Sequence, residues 1–336
     1  MKRGLVLGGG GLVGMAYHSG VLKALAECGY DVTTSDVVIG TSAGSIIASY
    51  MAGAGWSQQD FYEYAHHRHP DVAKDPADDE EAIRQVFEPL WSNKLERVQR
   101  SIGSMFALVS SRGHWTRFGR GKVPPSAVRR MFPAGLYSTD RSRQRFIEDL
   151  PRQWPQRELY VCGADLYTGE RVAFGAPGAP EATLPEAVLA SISIPGVFPP
   201  VKIGDRQYVD GGAYSATSLD LATEAGCDSI VCIAPLGYRG EGELLLRDPK
   251  LWGPVVTRSL FARSLRREVN EARAKGVEVL VIRPWTRDLA AIGSNAMRNF
   301  DRPHITDLAR KGTLRFIREH EDHPALIAAS SARRPA

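Results

Sequence analysis

Five residues, Gly40-Thr41-Ser42-Ala43-Gly44, constrain this chain more than any other stretch because of what flanks them. Val37-Val38-Ile39 before them is a β-branched run, and Ala43 to Ala52 after them carries a helical pattern. So tight a turn from strand to helix holds its central residue in a strained conformation, and glycines two positions away on either side let it close without Cβ collisions. The Oγ of a serine placed there is exposed at the carboxyl edge of the sheet, where the N-terminus of the next helix favours developing negative charge. Ser42 is therefore the candidate nucleophile. An ordinary Gly/Ser turn is the competing reading, and the flanking strand and helix weigh against it.

Gly8-Gly9-Gly10-Gly11 lies between a first strand, Gly4 to Leu7, and a first helix, Val13 to Cys28. In a parallel sheet its amides face the same edge as Ser42, an arrangement suited to holding an oxyanion. The residues Gly9-x-Gly11-x-x-Gly14 also spell a dinucleotide fingerprint, which requires an acidic residue at the end of the second strand to hold a ribose. That strand ends in Gly40-Thr41-Ser42, and Asp36 precedes it. A nucleotide-binding oxidoreductase thus stays as the alternative with less support. A nucleophilic serine needs a base, and Asp210-Gly211-Gly212 follows the β-like Gln207 to Val209. An aspartate at a strand end with two glycines behind it can approach another loop closely; the competing reading is a common Asp-Gly hairpin turn.

Strands and helices alternate in the first quarter, and Leu159 to Ala164, Ile230 to Ala234 and Val277 to Ile282 read as strands buried on both faces. The expected fold is α/β, a three-layer α/β/α architecture around a mostly parallel central sheet. One domain over residues 1–320 is expected, with 57–150 as a helical, partly basic insertion or cap and 321–336 as a disordered tail. A closing helix is expected over Asn299 to Glu319. The composition, 43% hydrophobic and 24% charged over 336 residues, is that of a soluble globular protein. Four cysteines without a CxxC pair suggest neither a disulfide framework nor a zinc cage, so a reducing, cytoplasmic setting is expected. Two uncharged runs, Gly4 to Leu22 and Val37 to Gln59, imitate membrane segments, but their glycines and serines fit strand, turn and buried helix better.

Charge is unevenly spread. Lys+Arg 42 against Asp+Glu 38 leaves +4, yet residues 94–130 hold nine basic residues and one acid, Glu96, so that window carries +8 and the remainder −4. With Phe106, Trp115 and Phe118 among its cations, the window is a candidate for peripheral contact with an anionic membrane; a solvated lid neutralised by Asp78 to Glu81 is the equal alternative. Nucleic acid is not expected, since no binding fold is recognisable. Leu95, Val98, Ile102, Phe106 and Val109 recur at helical spacing and read as a core face.

The glycine quartet, the G-x-S-x-G turn and Asp-Gly-Gly, in this order, resemble the patatin-like phospholipases. Ala164 to Gly169 and Ser191 to Val201 look like that family's strand and turn and its segment before Asp-Gly-Gly. The resemblance covers about Lys2 to Ala54 and Tyr160 to Ala234. It implies a Ser-Asp dyad with Ser42 as nucleophile and Asp210 as base, and the amides of Gly9, Gly10 and Gly11 as the oxyanion hole. It also implies a lipase or esterase of the phospholipase A or lysophospholipase type, acting on lipid acyl esters through an acyl-serine, with no cofactor and no catalytic metal. A catalytically silent lipid-binding or regulatory protein on the same fold is the non-enzymatic alternative. Two positions depart from the family: Val13 stands where it usually has Arg or Lys, and Ala213-Tyr214 where it often has asparagine and proline. Neither removes a dyad residue, but both shape the site, so substrate preference does not carry over.

Among the histidines, His304 is the candidate for a Ser-Asp-His order. His66, His67 and His69 end a helix beside Pro70, where cations are favoured by the dipole over a metal role. His18 reads as a packed or hydrogen-bonded side chain.

Overall fold

The computed structural model describes residues 1–71, 87–111, 131–239, 252–295, 297 and 301–330. Its eight strands, β1 (Arg3–Leu7), β2 (Val37–Thr41), β3 (Glu158–Asp165), β4 (Arg171–Phe174), β5 (Val201–Ile203), β6 (Arg206–Asp210), β7 (Ser229–Ile233) and β8 (Glu278–Ile282), make one sheet. β3, β2, β1, β7 and β8 run parallel in that order and form its body. β4 and β6 pair antiparallel with β3, and β5 pairs antiparallel with β6. In sequence, β2 and β7 are apolar throughout or nearly so because both of their faces are covered.

Helices cover the two faces. α1 (Gly11–Glu27), α2 (Ala43–Gly53), α6 (Leu184–Ile192) and α10 (Arg302–Arg318) bury apolar side chains against the face that carries Leu5, Leu7 and Val38. α7 (Asp220–Glu224) and α8 (Trp252–Ala274) cover the face of Val6, Val37 and Ile39 with Leu221, Leu265 and Val269. Successive strand residues point to opposite sides, so each short β-branched run feeds both layers. The α/β/α architecture is the one the alternation of elements implies. α3 (Gln58–Ala65), α4 (Lys94–Ser111) and α5 (Asp140–Asp149) lie between β2 and β3 in the chain, while α9 (Leu289–Ile292) and α11 (Pro324–Ala329) follow β8. Among the described residues, no helix is long and apolar enough to cross a membrane.

One detail of the sheet positions the site. β4 occupies one edge of β3 from Val161 to Ala164. On the other edge, β2 pairs up to Thr41 opposite Cys162, and β6 takes over at the next residue, with Asp210 opposite Gly163. β2 and β6 therefore meet end to end along a single strand.

Two expectations need correction. The segment expected to be a disordered tail holds α11, whose Ala325 and Leu326 are buried and which packs on β7, β8 and β1. His323 caps it by accepting the Ala325 amide, and its last carbonyls take the Asp31 amide (2.9 Å) and the Arg3 guanidinium (3.3 Å). A composition rich in Ala, Ser, Arg and Pro conceals a six-residue apolar unit; residues 331–336 lie outside the described ones. The second correction is α4, on which Leu95, Val98, Ile102 and Phe106 face outward instead of into a core. Gly103, Ser104 and Ala107 make its packed side. The side chain of Val109, together with Trp115, Phe118 and Asp78 to Glu81, lies outside the described residues.

Candidate active site

Ser42 follows the last residue of β2 and precedes α2, with φ +52° and ψ −121°. That is the strained left-handed region expected of a serine on such a turn. The turn closes because its neighbours lack side chains: a Cβ on Gly44 would strike the Leu7 carbonyl oxygen, and one on Gly40 would lie 2.6 Å from the Ser45 Cα. The Ser42 carbonyl accepts both the Ser45 amide (2.8 Å) and the Ser45 hydroxyl (2.6 Å), which stiffens the first turn of α2.

Asp210 ends β6 and is buried. Its Oδ1 accepts the Gly212 amide at 2.7 Å, the turn that two glycines make possible. Burial raises its pKa from 3.8 to about 6, against the Ser42 hydroxyl and the Gly212 amide, which as hydrogen-bond donors favour the ionised form. The serine and the aspartate, 168 residues apart in sequence, are thus brought into direct interaction.

The end of α6 ties both residues down. The Ser191 hydroxyl accepts the Ser42 amide (2.9 Å) and donates to the Cys162 carbonyl (2.6 Å), while the Ser193 carbonyl accepts the Asp210 amide (2.9 Å). α6 itself begins at a capping box of Thr183 and Glu186, with a proline in its first turn. Ser191 and Ser193 lie in the segment that resembles the family's, but their roles become readable only once β3 and β6 are paired.

The glycine loop connects β1 to α1. Gly9 packs beside Ser42, a Cβ on it falling 3.3 Å from the Ser42 Cβ. Of the three amides expected to face an oxyanion, that of Gly9 is already committed to the Ala216 carbonyl at 2.7 Å. The amides of Gly10 and Gly11 have no protein acceptor among the described residues, and they sit at the positive N-terminal end of α1. Gly10 must be glycine, because a Cβ there would come within 2.7 Å of the Gly14 Cα. His18 supports the loop from beneath: fully buried, it is held neutral by desolvation, with its pKa pushed down to about 4, and its Nε2 donates to the Gly8 carbonyl at 2.8 Å. Val13, at the position of the family's basic residue, is buried in the apolar core.

A residue that sequence reasoning missed stands behind the loop after Asp-Gly-Gly. Glu268, buried on α8, accepts hydrogen bonds from the hydroxyls of Ser215, Thr217 and Ser264 and from the Leu219 amide (3.0 Å). It gathers residues 215–219 around one carboxylate, and that segment supplies the Ala216 carbonyl that holds Gly9. Next to Arg266 and Arg267 in the sequence, Glu268 reads as one more solvated charge.

The candidate histidines lie on or beside helices other than α2. His304 is exposed near the start of α10, its amide capped by Asp301 at 2.9 Å. His66 lies 3.2 Å from Asp307, and His69 packs against Trp56 with ring centroids 4.5 Å apart and the planes tilted by 39°. Among the described residues, no group of three or more His, Cys, Asp or Glu side chains is placed to hold a metal ion.

A family model described as patatin-like phospholipase matches residues 5–223. Uncharacterized NTE family proteins of Mycobacterium tuberculosis and Mycobacterium bovis are 27% identical over 230 residues, 68% of this chain and 30% of theirs. The chain therefore spans under a third of the length of the curated relatives it matches. Among solved structures, the type III effector ExoU of Pseudomonas aeruginosa aligns over 95% of this chain and 53% of its own at 20% identity and a TM-score of 0.39. VipD from Legionella pneumophila aligns over 95% and 67% at 14% identity and a TM-score of 0.41. The family model covers well over half of the chain and takes in the glycine loop, the serine turn and Asp-Gly-Gly alike, so the chain belongs to the patatin-like phospholipase family.

Proposed function

We propose that the chain is a serine acyl hydrolase that cleaves lipid carboxylic esters, of the phospholipase A or lysophospholipase type, through Ser42 and Asp210. One observation supports this above the others: a strained serine and a buried aspartate whose pKa is about 6 interact directly where β2 and β6 abut. A base with that pKa is ionised at neutral pH yet closer to the serine hydroxyl in proton affinity than an exposed aspartate.

In the first half-reaction Asp210 takes the Ser42 proton as Oγ attacks the ester carbonyl. The amides of Gly10 and Gly11 hold the oxyanion, and loss of one such donor typically costs about 2.7–4 kcal/mol in the barrier. Collapse expels the alcohol, which takes the proton back from Asp210, and leaves an acyl-serine. Water then attacks the acyl group, again giving its proton to Asp210. Ser42 recovers that proton as the C–O bond breaks, and the carboxylic acid leaves. No histidine is needed at any step.

Hydrolysis of a short-chain nitrophenyl ester, followed by a panel of phospholipids and neutral lipids, tests the reading. Ser42→Ala and Asp210→Asn are each expected to lower kcat by at least about three orders of magnitude, and His304→Ala to leave it unchanged. Activity that survives Asp210→Asn but not His304→Ala would move the chain to the histidine triad class. No turnover by the unaltered protein on any ester would leave lipid binding without chemistry.

A further inference from the structure

α4 is built inside out. Its packed side consists of small residues: a Cβ on Gly103 would strike the Phe132 carbonyl oxygen, the Ser104 hydroxyl accepts the Gly135 amide at 2.9 Å, and Ala107 is buried. Ala107 clusters with Val209 and Ala213, the residues that bracket Asp210-Gly211-Gly212, so the helix rests on the rim of the dyad. The opposite side carries Leu95, Val98, Ile102, Met105 and Phe106, exposed by 70, 56, 38, 68 and 54%. At a period of 3.6 these five form one continuous stripe, turned about half a revolution from Gly103, Ser104 and Ala107. A helix that serves only the fold turns its large apolar side chains inward, the reverse of this one.

We propose that α4 is a docking helix for an anionic phospholipid bilayer. Charge favours this occupant over a second copy of the chain. Lys94 is exposed beside the stripe, next to Met105 around the helix axis, where a long cationic side chain can reach lipid phosphates while its stem lies along the apolar face. The sequence then continues through residues 112–130 with six Lys or Arg and no Asp or Glu. Two copies of a chain with so basic a window repel one another, whereas an anionic surface attracts each.

The docking reading deepens the proposed hydrolase and rests on it for its purpose, since a docked α4 would bring the Asp-Gly-Gly turn to within about one helix diameter, roughly 10–12 Å, of the lipid surface. The binding itself does not depend on turnover, so it is measured on Ser42→Ala by co-sedimentation with phosphatidylcholine vesicles, with and without phosphatidylglycerol. The protein is expected to sediment with the anionic vesicles, and Ile102→Ser/Phe106→Ser to weaken that binding at least about tenfold without lowering the melting temperature. Phe106→Leu, which keeps the apolar character, is expected to retain most of it. No sedimentation with anionic vesicles, or equal sedimentation of the serine double variant, would overturn the proposal. So would a dimer in gel filtration that the serine double variant converts to monomer while vesicle binding is absent. Failure of the esterase assay together with stripe-dependent vesicle binding would count against the hydrolase reading alone.

Discussion

Asp210 has two requirements that burial sets against each other. As the proposed base it benefits from an elevated pKa, but each pH unit by which burial raises that pKa makes the ionised form costlier to hold in the folded chain. With the pKa at about 6, kcat/KM on a soluble ester is expected to rise tenfold per pH unit below about pH 6 and to level off above it. The folded value lies above the unfolded 3.8, so the contribution of Asp210 to stability is complete below about pH 3.8 and is lost as pH rises through about 6. At neutral pH the ionised carboxylate costs on the order of 3 kcal/mol, by roughly 1.4 kcal/mol per unit. Asp210→Asn is therefore expected to be inactive yet to melt higher than the unaltered protein at pH 8, with the gap closing near pH 4; equal melting temperatures at both pH values would contradict the burial cost. The Ser42 turn was legible from its own flanking strand and helix, whereas Asp210 stood out from a common Asp-Gly turn only in company with the glycine quartet and the serine turn. Gly9 was legible as part of the loop, but the fate of its amide was not, because the Ala216 carbonyl that takes it belongs to another turn.

At the scale of elements, α8 reaches the site without contributing a reacting group. Glu268 lies beyond the stretch matched by the family model, residues 5–223, and its carboxylate organises the segment that fixes Gly9. Removing it leaves a buried amide and two buried hydroxyls short of a partner, a cost of about 1–3 kcal/mol per unsatisfied group. Glu268→Ala is expected to lower kcat on a soluble ester by about tenfold or more with little change in KM, because the oxyanion is held only in the transition state. Glu268→Gln, whose amide oxygen still accepts, is expected to restore most of that rate. Steady-state kinetics separate this from general damage, which would move KM and the melting temperature with both variants. Elements declare their period in the sequence more readily than their direction. The stripe of α4 was visible as a helical repeat, but which way it turned depends on the small residues Gly103, Ser104 and Ala107, which carry no hydrophobic signal. α11 was hidden for a related reason: six residues are too few to show a period, and only the sheet they cover gives them one.

Over the whole molecule, the parallel body of the sheet and the two helical layers follow from the alternation of elements, whereas the order of the strands and the antiparallel β4, β5 and β6 do not. Their pairing is a matter of register against β3, and short strands state no register of their own. The buried His18 adds a pH dependence that belongs to the fold as a whole. Its folded pKa, about 4, lies below the ordinary 6.5, so its contribution to stability is complete above about pH 6.5 and is lost as pH falls toward about 4. The midpoint of urea unfolding is expected to drop over that interval, and His18→Gln to flatten the drop even if it lowers the midpoint at pH 8; an unchanged slope would rule out His18 as its source.

The abutment of β2 and β6 on β3 has a further consequence. The spacing between hydroxyl and carboxylate is set by the ladder of β3, a short part of the more than 160 residues that the chain spends between them. The residues between α2 and β3 lie outside that ladder, so they can be lengthened, traded or re-shaped for a different cargo while the proposed pair stays in step. Recognition and cleavage can therefore diverge at separate rates in chains built on this plan.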